Sequence, residues 1–438
     1  MRGLPRRIVA QFAVDRRVLA LAFARMADGI GNSFLIIVIP LYVASGIVRG
    51  ATFGLEEAMV IGIILSLFGF LNSSFQPLTG RLSDRFGKRK PFILIGLGGL
   101  AATNLAYVVA ESYLSLIVIR GLQGVSVAFI IPASIALVNE LATTEDRGGN
   151  MGVYNTFRLI GFGAGPVAAG AVVNLGPYTL PSDVAIVGIP ADVSISGFDA
   201  AFYVAAVAAM IGYALVTVLI TDPDATKANA GADLSIPIRD RSGKHLLDPI
   251  FTLGVASLFM AAAIALFATI QPQVNARLEQ GSTWFGLQFA AFILAQVLLQ
   301  TPIGRACDYY GRRPFIVGGM ALLVPTTLVQ GFIFGSEVMF LARLGQGIAG
   351  AMVFAPSLAL AGDLAGEGES GSKLSVLTMA FGFGIAIGPL SSGALVGYGF
   401  YAPFVFGAAL AALGTVLVYT QVEETLETTR SIPGRSDE

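Results

Sequence analysis

The chain has 438 residues, 55% of them hydrophobic and only 13% charged, with a formal net charge of −1. Its mean hydropathy of +0.76 excludes an ordinary soluble α-protein, whose helices need amphipathic periods and polar connections. A single cysteine, Cys307, and a single histidine, His245, exclude a disulfide framework and a thiolate or imidazole metal cluster.

The amino-terminal MRGLPRRIVAQFAVDRR is basic. The apolar run after it holds Arg25 and Asp28 and ends in no small-residue cleavage site, so it reads as a retained first span and not a signal peptide. Eleven more apolar stretches follow, centred near residues 68, 101, 126, 163, 209, 260, 293, 324, 350, 384 and 411. Each is about 20 residues long, enough to cross roughly 30 Å of hydrocarbon as a helix. With the amino terminus in the cytoplasm, 21 Lys/Arg fall in cytoplasmic segments, 2 outside (Arg49, Arg277) and 4 within spans (Arg25, Arg120, Arg158, Arg343). This positive-inside bias predicts a multi-pass protein of the cell membrane with both termini cytoplasmic.

Between spans two and three the chain reads GRLSDRFGKRK, six charges in eleven residues. Topology explains the bases but not their order, nor why the order returns. Gly80, Arg81, Asp84 and Gly87 recur 224 residues on as Gly304, Arg305, Asp308 and Gly311, and Pro91 recurs as Pro314 in a register of 223. In that register RGLQG at Arg120 returns as RLGQG at Arg343, and Gly165-Pro166 returns as Gly388-Pro389. One unit of six spans has been used twice. The polar segment 221–248 then reads as a cytoplasmic linker between an amino-terminal half, 1–220, and a carboxy-terminal half, 249–438. An external segment, 174–199, joins spans five and six and has no assigned role.

The Gly80–Lys90 loop, the Arg120-x-x-Gln123-Gly124 element in span four and the Gly161, Gly165-Pro166, Gly170 element in span five resemble the three signature motifs of the major facilitator superfamily. The last resembles the mark of its twelve-span drug:proton antiporters. The resemblance implies an all-α integral membrane fold, two pseudo-symmetric six-helix halves rocking about a central site. It also implies that the loop acids dock at helix amino termini when the cytoplasmic side shuts. On this reading Asp84, braced by Arg81 and Arg85, meets span eleven near Ser370-Gly371-Ser372, and Asp308 meets span five near Gly149-Asn150. The family places the span-five element where that span meets the other half, so Gly161, Gly165, Pro166, Gly170, Gly388 and Pro389 are expected to pack helices.

Charges inside apolar spans are costly enough to be functional by default. Arg25, Asp28 and Asn32, spaced by three and four, share one face of span one, and Asp28 is the only carboxylate deep in any span. It is the expected proton acceptor, with Arg25 and Arg120 tuning it; the resemblance implies that the span-four arginine communicates with an acid on span one. The bland alternative is a permanent Arg25–Asp28 lock. Asn32, Arg158, Gln123, Gln296, Gln300 and Arg343 are the expected cavity groups, and Gln271 and Gln288 are further candidates.

The expected function is export of a small organic compound or drug in exchange for protons. The alternative is proton-independent or symport-type transport of an organic anion held by the intramembrane arginines. No nucleophile, phosphate loop or metal spacing points to an enzyme. The expected partners are a small-molecule substrate, protons and the lipid bilayer, with a monomeric state, no nucleic acid and no cofactor or metal.

Overall fold

The computed structural model describes residues 16–52, 54–141, 147–179, 194–222, 237–240, 243–364 and 370–425. The basic leader, most of the 221–248 linker and the middle of the 174–199 segment lie outside the described residues. Among those described, twelve helices are long and apolar enough to cross a membrane.

Spans one to six are Arg16–Ala44, Glu57–Phe86, Lys90–Ala106, Tyr113–Leu141, Arg147–Leu175 and Gly197–Leu219. Spans seven to twelve are Pro249–Thr269, Ser282–Tyr310, Arg312–Leu328, Ser336–Asp363, Ser370–Leu395 and Ala402–Gln421. Their ends follow local chemistry. Asp248 accepts from the backbone N–H of Ile250 (2.9 Å) and Phe251 (3.2 Å) ahead of Pro249, so span seven begins on a capped turn with a proline at its first position. Gly87, at φ 63°, ends span two in the left-handed conformation that glycine takes without penalty. Span seven stops at Thr269, and a short helix, Gln271–Arg277, resumes beyond Ile270, where Pro272 supplies no backbone donor.

The two basic loops, 80–90 and 304–313, lie at one end of the bundle, called here the basic end; the other is the far end. Spans one and seven are the most enclosed, with 72% of their most apolar windows buried against 33% for spans five, six and eleven. The polar groups of span one therefore face protein, not lipid. Span one packs on five and six, span two on four, span three on four and six; spans seven to twelve repeat the pattern.

The halves meet along two seams, span two on span eleven and span five on span eight. The seams are related by the sequence repeat. A Cβ on Gly62 would stand 2.6 Å from the carbonyl oxygen of Pro389, and Gly286 lies against the carbonyl of Pro166. Gly170 meets the carbonyl of Ser282, and its counterpart Gly393 meets that of Ala58. The hydrogen bonds between halves, among the described residues, fall on the same stretches. Ser66 Oγ donates to the Ala386 carbonyl (2.6 Å), Asn174 Nδ2 to Thr283 Oγ1 (2.8 Å), and Ser282 Oγ to Asn174 Oδ1 (2.8 Å). These three lie in the half of the bundle toward the far end, and the span two–span eleven seam continues past mid-bundle, where Gly69 lies against Ala386 and Gly382 against Ser73.

Candidate functional site

Three groups of polar residues interrupt the apolar bundle. The first surrounds Asp28, which is 4% exposed. Arg25 Nη1 donates to Asp28 Oδ2, while Asp28 Oδ1 and Arg25 Nε are buried without a partner. Gly29 presses against the carbonyl of Arg158 on span five, bringing the two spans together at this level. Arg158 and Tyr154 lie within the electrostatic reach of Asp28; Arg158 Nε donates to Asn155 Oδ1 (2.9 Å), and the Tyr154 hydroxyl shares a 2.5 Å hydrogen bond with Ser134 Oγ. Asn32, one turn further along span one, has a buried and unpartnered Oδ1.

The glycines of span five build this level. Gly161 lies against Met26, and Gly165 against Ser33 and the carbonyl of Ile30, so a side chain at either position would push span one away. This corrects the expectation that the whole element faces the other half: Gly161 and Gly165 pack within their own half, while Gly163, Pro166 and Gly170 reach span eight. Gly388 likewise packs on Ala262 of span seven in its own half, while Pro389 reaches across to Gly62.

The second group is a pair of arginine cages. Arg120, 2% exposed, donates through Nη1 to Gln123 Oε1 (3.0 Å) and stands 4.3 Å over the Phe68 ring. Gln123 Oε1 also accepts from the Tyr107 hydroxyl (3.0 Å), and Gln123 Nε2 donates to Asn104 Oδ1 (2.6 Å). In the second half Arg343, 0% exposed, donates to Gln346, whose Nε2 donates to Thr327 Oγ1 (3.0 Å), and lies 5.1 Å from the Phe292 ring. Phe68, Asn104, Arg120 and Gln123 correspond in the repeat to Phe292, Thr327, Arg343 and Gln346. The structure does not bring Arg120 to Asp28. Among the described residues no carboxylate pairs with Arg120, Arg158 or Arg343.

The third group lies at the basic end. The Arg89 side chain, 3% exposed, bridges Asp84 Oδ1 (2.5 Å) and Glu140 Oε1 (2.8 Å) and donates to Ser83 Oγ (2.8 Å). Its repeat partner Arg312 pairs with Asp308 (3.5 Å) and with Asp363. Burial works against charge on Arg89, yet the hydrogen bonds it donates to Glu140 and Asp84 outweigh it and hold its pKa above the ordinary value. The expectation that Arg81 and Arg85 brace Asp84 is corrected. Both are exposed, and Gly87 turns the chain so that Arg89 folds back over Asp84. Asp222, after span six, accepts from the backbone N–H of Arg89 and Lys90 (2.9 Å each); Glu424, after span twelve, accepts from that of Arg313 (2.8 Å). The side chains of 370–372 and 149, the expected docking points of the two loop acids, lie outside the described residues.

Of the remaining cavity candidates, Gln296 and Gln300 are half-buried. Gln288 is buried and hydrogen-bonded within the second half. Gln271 is 0% exposed, with neither amide atom partnered. The seam glycines Gly62 and Gly286 and the cage residues Tyr107, Asn104 and Thr327 were not among the sequence candidates. The recurrence of Gly62 as Gly286, 224 residues on, was the available signal for the glycines; Tyr107 falls opposite Gln330 and Asn104 opposite Thr327, so the cage residues carried none.

A twelve-span bundle of two repeated halves, with buried polar groups on spans one, three, four and five and again on spans eight to ten, is the architecture of a secondary transporter. The family model of the Major Facilitator Superfamily matches residues 21–281 and 250–434, and the chain belongs to that superfamily, whose members are transporters rather than enzymes. It is 24% identical over 178 residues to Multidrug resistance protein 2 of Bacillus subtilis, a match covering 40% of this chain and 44% of the relative. A longer match, 22% identical over 415 residues, joins it to Quinolone resistance protein NorA of Staphylococcus aureus, covering 92% of this chain and 96% of NorA. Among solved structures, a bacterial homologue of the human lysosomal transporter Spinster, in an inward-facing and occupied conformation, superposes with a TM-score of 0.74 at 13% identity, covering 96% of this chain and 97% of that one.

Proposed function

We propose that the protein exports a small organic compound in exchange for protons, with Asp28 as the proton acceptor and the basic end in the cytoplasm. The supporting observation is the half-satisfied carboxylate: one oxygen is held by Arg25 and the other is buried with no partner. An oxygen left without a protein partner inside the bundle is open to a proton, as a mobile proton site requires. The names of the multidrug and quinolone resistance relatives support export as the direction. The joined far-end seams support an inward-facing reading of this conformation. Asp84 and Asp308 are held within their own halves by Arg89 and Arg312, and rocking would deliver them to spans eleven and five.

A second reading has a specific observation behind it. Arg120, Arg158 and Arg343 have no carboxylate partner among the described residues. An excess of positive charge at membrane depth favours organic anions over cations. A growth-protection panel separates the readings: cells expressing the protein survive toxic cationic or neutral compounds if it exports them, whereas protection confined to anionic compounds supports the second. Growth that depends on supply of a nutrient would overturn export altogether.

A further inference from the structure

The two arginine cages match in the repeat but differ on the side toward the far end. Position 64 in span two is isoleucine, and its counterpart in span eight is Gln288. Arg343 Nε donates to the Gln288 carbonyl (3.4 Å) and Nη1 to Gln346, and the guanidinium is walled by the rings of Phe267 (4.5 Å), Phe292 (5.1 Å) and Phe289 (5.6 Å). Nη2 is buried and has no acceptor. A whole positive charge is thus enclosed at 0% exposure with a spare donor and no carboxylate beside it. Phenyl faces offset part of that cost, but they do not use the spare N–H.

Gln288 is also the inner rung of an amide ladder. Gln288 Nε2 donates to Gln280 Oε1 (2.8 Å) and to the Ser336 carbonyl (3.1 Å). Gln280 Nε2 donates back to Gln288 Oε1 (3.0 Å) and on to Asn275 Oδ1 (3.3 Å). Asn275 and Gln280 flank the turn between the short helix 271–277 and span eight, at the far end. Amides sunk in an apolar bundle are costly unless satisfied. These satisfy one another with bonds that an arriving ligand can take over one at a time.

We propose that Arg343 anchors a site for a small monovalent anion, either a halide or the carboxylate head of an organic acid, reached from the far end along Asn275, Gln280 and Gln288. The spare Nη2 donor supplies the charge-assisted hydrogen bond and the phenyl wall excludes water. The amides replace the hydration shell as the anion passes. Span eight carries Phe289 and Phe292 as well as the seam glycine Gly286, so parting of the far-end seam loosens the same wall. The site deepens the anion reading, in which Arg343 is one of the three arginines, and it does not depend on whether Asp28 carries a proton.

The test uses the purified full chain in nanodiscs of zwitterionic lipid, with equilibrium binding of radiolabelled chloride. The wild type is expected to bind chloride saturably, at about one per chain, and bromide to displace it. Arg343→Gln is expected to lower the affinity about tenfold or more, the order of a charge-assisted hydrogen bond, and Arg343→Lys to recover part of it. Gln288→Ile, which restores the residue of the first half, is expected to weaken binding several-fold. Displacement of chloride by benzoate assigns the site to the carboxylate of an organic acid as well; displacement by bromide alone assigns it to inorganic anions. Absence of saturable binding of both chloride and benzoate to the wild type overturns the proposal, as does unchanged affinity in Arg343→Gln. If Arg343→Gln is not monodisperse, Gln288→Ile decides, and unchanged chloride affinity in that variant overturns the proposal.

Discussion

The carbonyl oxygen of Pro389 lies 2.6 Å from the point where a Cβ on Gly62 would stand, closer than a real Cβ tolerates against rigid backbone. The two residues belong to opposite halves, so their contact exists only while the far end is closed. Gly62→Ala is expected to destabilise this conformation by about 1–3 kcal/mol, the usual cost of overpacking, without harming either half. Gly286→Ala, against Pro166, should do the same, and the pair together should exceed either alone. Thiol labelling of Thr283→Cys, at the far-end seam, reads this as faster modification in the glycine variants. Equal labelling in all backgrounds would show that the seam does not open there.

Gln123 satisfies Arg120, Tyr107 and Asn104 at once. Gln123→Leu leaves each with an unmet hydrogen bond in a buried setting, at roughly 1–3 kcal/mol for each group stranded. Thermal unfolding in detergent should show a marked loss for Gln123→Leu. Gln76→Leu, which breaks only the half-buried bond to Asn72 (3.1 Å), should show a small one.

Arg89 is buried while its two acids are partly exposed, Asp84 by 33% and Glu140 by 21%. Arg89→Ala is therefore expected to cost less than the roughly 3–5 kcal/mol of breaking a fully buried pair, since solvent takes up part of the stranded charge. Arg89→Lys should recover some of the loss but not all, because one ammonium cannot match a planar fork that reaches Asp84, Glu140 and Ser83. Arg81→Ala and Arg85→Ala, both exposed, should leave the unfolding temperature nearly unchanged. A loss at Arg81 or Arg85 equal to that at Arg89 would restore the bracing role expected from sequence.

Asp222 caps the start of span three through the N–H groups of Arg89 and Lys90. Asp222→Ala should lower stability by about 0.5–2 kcal/mol, whereas Asp222→Asn, which keeps an acceptor oxygen, should retain most of it. Comparison of the two unfolding curves checks this.

The twelve spans, the repeat and the identity of the deep charges were legible because hydropathy and register are one-dimensional properties of the chain. The Arg120 and Arg343 pair followed from register alone. What was illegible depends on turns and on helix faces. The bridge from Arg89 to Asp84 depends on the left-handed turn at Gly87, and in sequence Arg81 and Arg85 are as near to that acid. Gly62 and Gly286 recur in the repeat, but one glycine in an apolar helix does not say what it packs on; only the carbonyl facing it gives it meaning. The span-five glycines were assigned to a single interface because a helix motif does not say which neighbour each face meets. Here Gly161 and Gly165 face span one, and Pro166 and Gly170 face span eight.

The central claim is that Asp28 takes and releases the coupling proton and is not a fixed partner of Arg25. Its most direct test is internal pH in proteoliposomes, with a panel of cationic and anionic compounds added outside, comparing wild type with Asp28→Asn. Compound-dependent proton movement in the wild type that Asp28→Asn abolishes, with compound binding retained, is the predicted result. Compound flux without proton movement, or coupling that survives Asp28→Asn, would contradict it and leave the arginine-centred anion reading in its place.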